Sequence, residues 1–161
     1  MTDRRQSAGI LLVRVVDRVA EFLLVHPGGP FWANKDTGAW SIPKGEYGLD
    51  EEPLACARRE FREELGCECP AHDLIDIGEI TQSGGKHVVA WCGVGEIDTA
   101  AVRSNMFEMQ WPPRSGRMQQ FPEVDRAGYF AWEAALEKII VGQRPFLDSA
   151  LLALRRAELI P

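Results

Sequence analysis

One helical segment constrains the fold of this chain more than any other part of it. From Pro53 to Leu65, apolar side chains recur at helical spacing, and Gly66 follows as a natural end of the helix. At about 100° per residue, Leu54, Phe61 and Leu65 fall on one stripe, which must pack against another layer. The segment therefore predicts a helix that covers one face of a sheet.

Three carboxylates lie beside this apolar stripe, not opposite it. Glu60, Glu63 and Glu64 share an arc of about 100° on the same helical projection. They repel one another, and in the second half of the helix they also oppose the helix dipole. Both penalties become attraction if divalent cations lie between the carboxylates. The helix alone leaves two interpretations: a solvated acidic face with neighbouring arginines as counterions, or a cation site at the edge of a cleft.

Strands and helices alternate along the rest of the chain. Apolar runs at residues 8–16 and 20–26 predict a hairpin with a polar turn at Asp17 and Arg18. Further strands are predicted at residues 39–42, 74–81, 86–96 and 128–132, further helices at 133–140 and 145–158, and an extended loop at 111–114. Hairpins interleaved with helices indicate an α/β fold with a mixed sheet, and the length suits one domain over residues 1–161.

Composition argues against several classes of function. The net charge of −6 and the pI of about 5.1 are unfavourable for binding nucleic acid through its phosphates. The apolar run after the charged N-terminus ends at Asp17, too early for a membrane span, and no small-residue cleavage site follows it. The four cysteines form no CxxC pair, which predicts free thiols in a reducing compartment. We expect a cytoplasmic protein that binds neither nucleic acid nor membrane, and the sequence leaves its oligomeric state open.

The loop before the acidic helix favours the cation site. From Gly45 the chain has five residues, Glu51, seven residues, and then Arg-Glu-Phe-Arg-Glu-Glu-Leu-Gly-Cys, ending at Cys67. This pattern resembles the Nudix box. All seven strictly specified positions match, and Phe61 and Cys67 depart mildly from its preference for Ile, Leu or Val. The resemblance implies a Nudix-type α/β/α sandwich with a mixed central sheet, and an enzyme that hydrolyses a nucleoside diphosphate linked to another group.

The resemblance also implies a metal site. Glu60 and Glu64 match metal-ligating positions, and Glu63 matches a position that binds metal directly or through water. The carbonyl of Lys44 matches a backbone oxygen that often binds metal. The expected ion is Mg²⁺, with Mn²⁺ as the alternative, since both accept oxygen ligands.

Further residues are expected to support the catalysis. Arg59 matches the residue that orients the carboxylates, and Glu51 matches a supporting position near the metal cluster. Glu63 is a candidate for a base or water-positioning role if it is not fully committed to metal. Outside the box, Glu123 is the leading candidate for a general base and Asp148 the second, and for each the alternative is an ordinary surface acid.

The residues before the box bear on the substrate. Pro-Lys-Gly, with Lys44 and Gly45, is similar to the form seen in dinucleoside polyphosphate hydrolases and inositol pyrophosphate phosphohydrolases. Mutator-type nucleoside triphosphate hydrolases more often carry Pro-Gly-Gly. We therefore expect metal-dependent hydrolysis of a small-molecule nucleotide, in the first place a dinucleoside polyphosphate such as diadenosine tetraphosphate. The alternatives are a nucleoside triphosphate, ADP-ribose or another sugar nucleotide, and a non-enzymatic nucleotide-sensing module, which would be expected to lose box carboxylates.

Other substrate contacts are expected from loops. Trp32 is a candidate for stacking on a base, and so are two further loop aromatic residues, Phe31 and Trp111. Three basic residues near Gly turns are candidates for phosphate contacts: Lys35, Lys86 and Arg114. For each of these residues the alternative is an ordinary structural or solvated side chain.

Overall fold

In the computed structural model, which describes residues 6–161, a long hairpin forms the centre of the fold. Strand β1 (Gln6–Val16) pairs antiparallel with β2 (Val19–Pro27). Asp17 and Arg18 form the predicted turn with φ values of 51° and 67°, as a two-residue turn matched to the strand twist requires. The charged residues 1–5, on which the interpretation of the N-terminus partly rests, lie outside the described residues.

The other elements complete a mixed sheet and its covering layers. They are β3 (Lys44–Glu46), α1 (Pro53–Leu65), β4 (Ile75–Thr81), β5 (His87–Val94), β6 (Met106–Gln110), β7 (Met118–Pro122), β8 (Val124–Ala131), α2 (Trp132–Lys138) and α3 (Arg144–Arg156). The main sheet has the order β4-β5-β1-β2-β8, and β3 pairs with β1. The pairing of β1 with β5 is parallel and the other pairings are antiparallel, which confirms the predicted mixed sheet.

Two cores lie on opposite faces of this sheet. On β1, the side chains of Ile10 and Leu12 pack in one core with Phe61 of α1, whereas Leu11 and Val13 belong to the other core. That second core includes residues of α2 and α3: Ala135, Phe146, Leu147, Ala150 and Leu154. Because successive strand residues face opposite sides, β1 serves both layers, and the result is the predicted α/β/α sandwich. No helix within residues 6–161 has the length and apolar character needed to cross a bilayer.

The strand predicted at residues 39–42 is wrong. Trp40 and Ser41 make only isolated bridges, and regular pairing with β1 begins at Lys44. Pro43 has no N–H for a ladder, but its carbonyl accepts a hydrogen bond from the Ile10 N–H at 3.2 Å. The segment therefore contacts β2 at Ser41 and β1 from Pro43 without forming a regular strand until Lys44.

Strands β6 and β7 were not predicted. They form a separate two-stranded sheet, and the loop predicted at residues 111–114 lies in the turn that joins them. The turn is tighter than expected, because the Ser115 N–H donates to the Pro112 carbonyl at 3.1 Å and Arg114 has a φ of 61°. This hairpin precedes β8 directly, so it places residue 123 between the two sheets.

Candidate active site

The glycine of β3 lies directly against helix α1. A Cβ atom on Gly45 would lie 2.0 Å from the carboxyl carbon of Glu60, so no side chain fits there without moving that carboxylate. The Lys44 N–H donates to Glu64 Oε2 at 3.2 Å, and the Cys56 thiol lies 3.4 Å from the Gly45 carbonyl oxygen. The strand before the box and the helix after it are therefore fixed to each other at the carboxylates.

Arg59 links the carboxylates of the box. Its Nε and one terminal nitrogen donate to the two oxygens of Glu51 at 2.8 and 2.9 Å. Its other terminal nitrogen donates to Glu60 at 2.9 Å and to Glu63 at 3.0 Å. The hydrogen bond from Arg59 is the main cause that lowers the pKa of Glu51. A bidentate pair holds the guanidinium plane, and from it Arg59 donates to Glu60 and Glu63.

Three carboxylates from two distant parts of the chain converge beside this network. Oxygen atoms of Glu60, Glu64 and Glu123 all lie within 4.8 Å of one another. Backbone hydrogen bonds hold residue 123, since its N–H donates to the Asn105 carbonyl at 2.9 Å and its carbonyl accepts from Gly28 at 3.0 Å. The structure thus brings Glu123 to the box helix and keeps Glu63 on the Arg59 side.

The electrostatics of this group fit a divalent cation. Burial, followed by the charge of Glu60, raises the pKa of Glu64 well above its usual range. Burial also raises the pKa of Glu60 and of Glu123, and the charge of Glu63 adds to both shifts. Clustered carboxylates that resist ionisation in this way gain most from a cation between them, and they offer the hard oxygen ligands that Mg²⁺ prefers.

An open cleft runs over the carboxylates. Its outer part has a volume of about 500 Å³ and is lined by Gly28, Gly45, Glu46, Arg59, Glu60 and Phe107, among others. Its inner part has a volume of about 210 Å³ and is more apolar, with Val25, Ala39, Ile42, Val124 and Ile140 in its lining. Five residues line both parts: Pro27, Trp32, Lys44, Glu64 and Glu123. The carboxylates therefore lie where a polar chamber meets an apolar one.

Two of the predicted lysines lie in or beside this cleft. Lys44 is half-buried and lines both parts of the cleft, and its pKa is lowered first by desolvation and next by the charge of Lys86. Lys86 Nζ lies 3.3 Å from Glu46 Oε1, one residue beyond Gly45. The predicted stacking residue Trp32 lines the cleft, with Lys35 Nζ 4.9 Å from its ring centroid.

Other candidates lie away from the carboxylates. Arg114 is exposed in the turn of the β6–β7 hairpin and does not line the cleft. Asp148 is exposed on α3, which packs in the core on the sheet face opposite α1. Phe31 and Trp111 pack edge to face with centroids 5.4 Å apart, which joins two loops and makes them loop anchors. Phe107 lines the cleft but was missed, although apolar Phe107 and Met109 alternate with polar residues as in a strand.

Comparison with known proteins agrees with this geometry. A family model described as the NUDIX domain matches residues 3–150, so the chain belongs to the Nudix family. Membership of this family, with every carboxylate of the box in place, confirms the predicted class, a Nudix pyrophosphohydrolase. No curated protein sequence matches the chain.

Solved structures share the fold at low sequence identity. The Nudix domain of Shewanella oneidensis NrtR, solved with ADP-ribose, gives a TM-score of 0.65 at 14% identity over 96% of this chain and 90% of that chain. A Caenorhabditis elegans Ap4A hydrolase gives 0.60 at 22% identity over 91% and 98%. A MutT protein from Methanosarcina mazei gives 0.58 at 20% identity over 95% and 98%. At these identities the likeness establishes the fold alone.

Proposed function

We propose that this protein is a metal-dependent pyrophosphohydrolase that cleaves a dinucleoside polyphosphate, with diadenosine tetraphosphate as the first substrate to test. The observation that carries the proposal is the convergence of Glu60, Glu64 and Glu123 within 4.8 Å. Lys44 lines the same cleft, and Lys86 contacts Glu46, which lines its outer part. A polyphosphate chain needs positive charge along its length, and a cation at the carboxylates together with the lysines would provide it.

In this proposal Glu60 and Glu64 hold the divalent cation, with the carbonyl of Lys44 as a further oxygen ligand. Mg²⁺ suits these hard ligands, and Mn²⁺ accepts the same set. When bound, the cation neutralises phosphate charge and lowers the pKa of a water molecule. Glu60 keeps its orientation through Arg59, which Glu51 in turn holds by two hydrogen bonds.

Glu123 is proposed to accept the proton of the attacking water. Its carboxylate reaches the site from outside the box helix, and burial raises its pKa, which makes it a stronger base. Glu63 stays on Arg59 at 3.0 Å and is proposed to orient that water or to complete the metal site.

The substrate is proposed to extend along the cleft. Trp32 offers an exposed ring at the junction of its two parts, with Lys35 above the ring. Lys44 and Lys86 would bind phosphate oxygens, and Gly45 keeps the Glu60 carboxylate close to the backbone beside them. The larger, open outer part suits a substrate whose second nucleoside projects away from the carboxylates.

A nucleoside triphosphate is the second candidate, and the inner cavity favours it. This apolar cavity of about 210 Å³ shares Glu64 and Glu123 with the outer part. A base placed there would bring its own phosphates straight to the carboxylates. ADP-ribose remains a third candidate, and a nucleotide-sensing module is the alternative outside enzymes.

One assay separates these candidates. The protein is incubated with diadenosine tetraphosphate, the common nucleoside triphosphates and ADP-ribose, each with Mg²⁺ and with chelator, and products are resolved by chromatography. We expect the highest Mg²⁺-dependent kcat/KM for diadenosine tetraphosphate. A preference for a triphosphate would replace the substrate assignment, and the absence of metal-dependent turnover for every compound would reject the enzyme in favour of a sensing module.

A further inference from the structure

A completely buried glutamine lies behind the active-site cleft. Gln143, at the end of the short 3₁₀ turn Val141–Gln143, has 0% exposure. Its Oε1 accepts a hydrogen bond from the Ile42 N–H at 3.0 Å, which establishes which amide atom is the oxygen. Its Nε2 donates to Ser41 Oγ at 3.0 Å and to Gln82 Oε1 at 3.2 Å. All its amide groups are therefore used, and they join two separate segments of the chain.

The first of these segments leads to Lys44. Ser41 bridges to Val25 through hydrogen bonds of 2.8 and 3.0 Å, but this segment forms no regular strand. Gln143 supplies the acceptor for the Ile42 N–H that a neighbouring strand would otherwise supply. Two residues later, the Lys44 N–H donates to Glu64. The position of Lys44 thus depends on Gln143 at one end of a short segment and on the box helix at the other.

The second segment leads to Lys86. Gln82 lies at the end of β4, and its N–H donates to the Lys86 carbonyl at 2.8 Å across the β4–β5 turn. The Gly85 N–H donates to the Gln82 carbonyl at 3.1 Å, so Gln82 organises this turn through its backbone. Lys86 then extends to Glu46. The side chain of Gln82 ties the turn to Gln143, and the turn brings Lys86 to Glu46, which lines the outer part of the cleft.

We propose that Gln143 is a positioning residue that holds Lys86 at a set distance from Lys44 and so shapes a two-lysine subsite for polyphosphate. The inference deepens the proposed function, because it names the part of the substrate that this subsite binds. Two ammonium groups repel each other, and a surface turn alone would let Lys86 move away from Lys44. A buried amide with every hydrogen bond made resists this motion, since separating the segments would leave buried polar groups unpaired.

The test is a double-mutant cycle on binding of inorganic tripolyphosphate with Mg²⁺, measured by calorimetry. Lys86→Ala is expected to raise the Kd about tenfold, since it removes a charge-assisted contact. Gln82→Ala cuts the link between the turn and Gln143 and is expected to raise the Kd about threefold to fivefold. In the Lys86→Ala background, Gln82→Ala is expected to change nothing further, because it acts through Lys86.

Matched variants distinguish this role from general stability. Ser83→Ala changes an exposed residue of the same turn and is expected to keep the wild-type Kd. If Gln143→Met folds, it is expected to lose the same affinity for tripolyphosphate as Gln82→Ala. If it does not fold, Gln82→Ala alone tests the positioning role. An unchanged Kd in Gln82→Ala, a full effect that persists in the Lys86→Ala background, or a wild-type protein that does not bind tripolyphosphate would each overturn the proposal.

Turnover of diadenosine tetraphosphate by the same proteins distinguishes a failure of the positioning role from a failure of the proposed function. Gln82→Ala is expected to raise KM about threefold to fivefold, as it raises the Kd, and to leave kcat within about twofold. If the binding cycle behaves as expected but no protein turns over any nucleotide, the proposed function fails and the positioning role stands. If the wild type is active and Gln82→Ala matches it in Kd and KM, the positioning role fails and the proposed function stands.

Discussion

The clustered carboxylates of the site lower the free energy of unfolding when they are ionised and no cation lies between them. Glu64 is the clearest case, because its pKa is raised by burial and then by its neighbour Glu60. A carboxylate whose folded pKa exceeds its unfolded value destabilises the protein as pH rises through and above the unfolded value. This penalty grows as pH rises from the unfolded pKa towards the raised folded pKa, and a bound cation would remove it.

Glu64→Gln is therefore expected to separate stability from activity. Without metal, the variant should melt at or above the wild-type temperature, because it removes a like charge while keeping the shape of the side chain. Mg²⁺ should raise the melting temperature of the wild type but not of Glu64→Gln, and turnover should fall at least about 100-fold. Thermal scans with Mg²⁺ and with chelator, beside an activity assay, check this. The control is Asp148→Asn, which neutralises an exposed carboxylate on α3 and should resemble wild type.

Gly45→Ala tests the contact between the strand and the helix. The added Cβ would meet the flexible end of the Glu60 side chain, so we expect the fold to survive while that carboxylate is displaced. The Mg²⁺-dependent thermal shift should shrink and kcat/KM should fall about 100-fold, since misplaced catalytic groups cost rate steeply. Retention of both the shift and the wild-type rate would show that Glu60 does not need this position.

At the scale of elements, helix α1 carries the site because both of its ends are constrained. Pro53 occupies the first turn, where its missing N–H costs nothing, and Gly66 closes the helix in the left-handed conformation with φ 79°. The segment between β5 and β6 returns to this end of the helix. The Arg103 N–H donates to the Leu65 carbonyl at 3.2 Å, and the Asn105 N–H donates to the Glu63 carbonyl at 2.8 Å. The same segment then enters β6, so the helix end also places the hairpin that precedes Glu123.

Gly66→Ala is expected to destabilise the protein more than the same substitution would at a glycine that has a positive φ but open space around it. Its Cβ would lie 2.6 Å from the Arg103 carbonyl oxygen, which is backbone and cannot rotate away. We expect a loss of about 2–3 kcal/mol of unfolding free energy, of which about 1 kcal/mol comes from the positive φ. Gly84→Ala is the matched control, because Gly84 has φ 89° with open space around it and should lose only the conformational part. Urea denaturation of both variants measures the difference.

At the scale of the whole molecule, the two cores enclose thiols that report on global unfolding. Burial raises the pKa of Cys56 to about 11 and that of Cys92 to about 12. Each belongs to a different core, one on the α1 face and one on the α3 face. Because the thiolate is the reactive form, neither should react in the native protein near neutral pH.

Thiol labelling checks this arrangement. At pH 8, a thiol reagent is expected to modify the half-buried Cys67 and Cys69 first, and Cys56 and Cys92 only under denaturing conditions. Mass spectrometry of the labelled peptides assigns the order. Rapid native labelling of Cys92 would mean that the α3 face opens far below the free energy of global unfolding.

What the sequence determined by itself was local. The spacing within 45–67 predicted the helix, its end at Gly66, the shared arc of carboxylates and the family, because a helix converts spacing into direction over a few residues. Two apolar runs joined by a polar turn likewise predicted the central hairpin. Only tertiary structure could bring Glu123 to Glu60, place Phe107 in the cleft and set Gln143 behind it, since these contacts depend on the sheet order. The strand predicted at 39–42 failed for the same physical reason. Its backbone hydrogen bonds go to several distant partners, which are the Lys138 carbonyl for Trp40, the Val25 backbone for Ser41 and the Gln143 side chain for Ile42, and no local pattern records them.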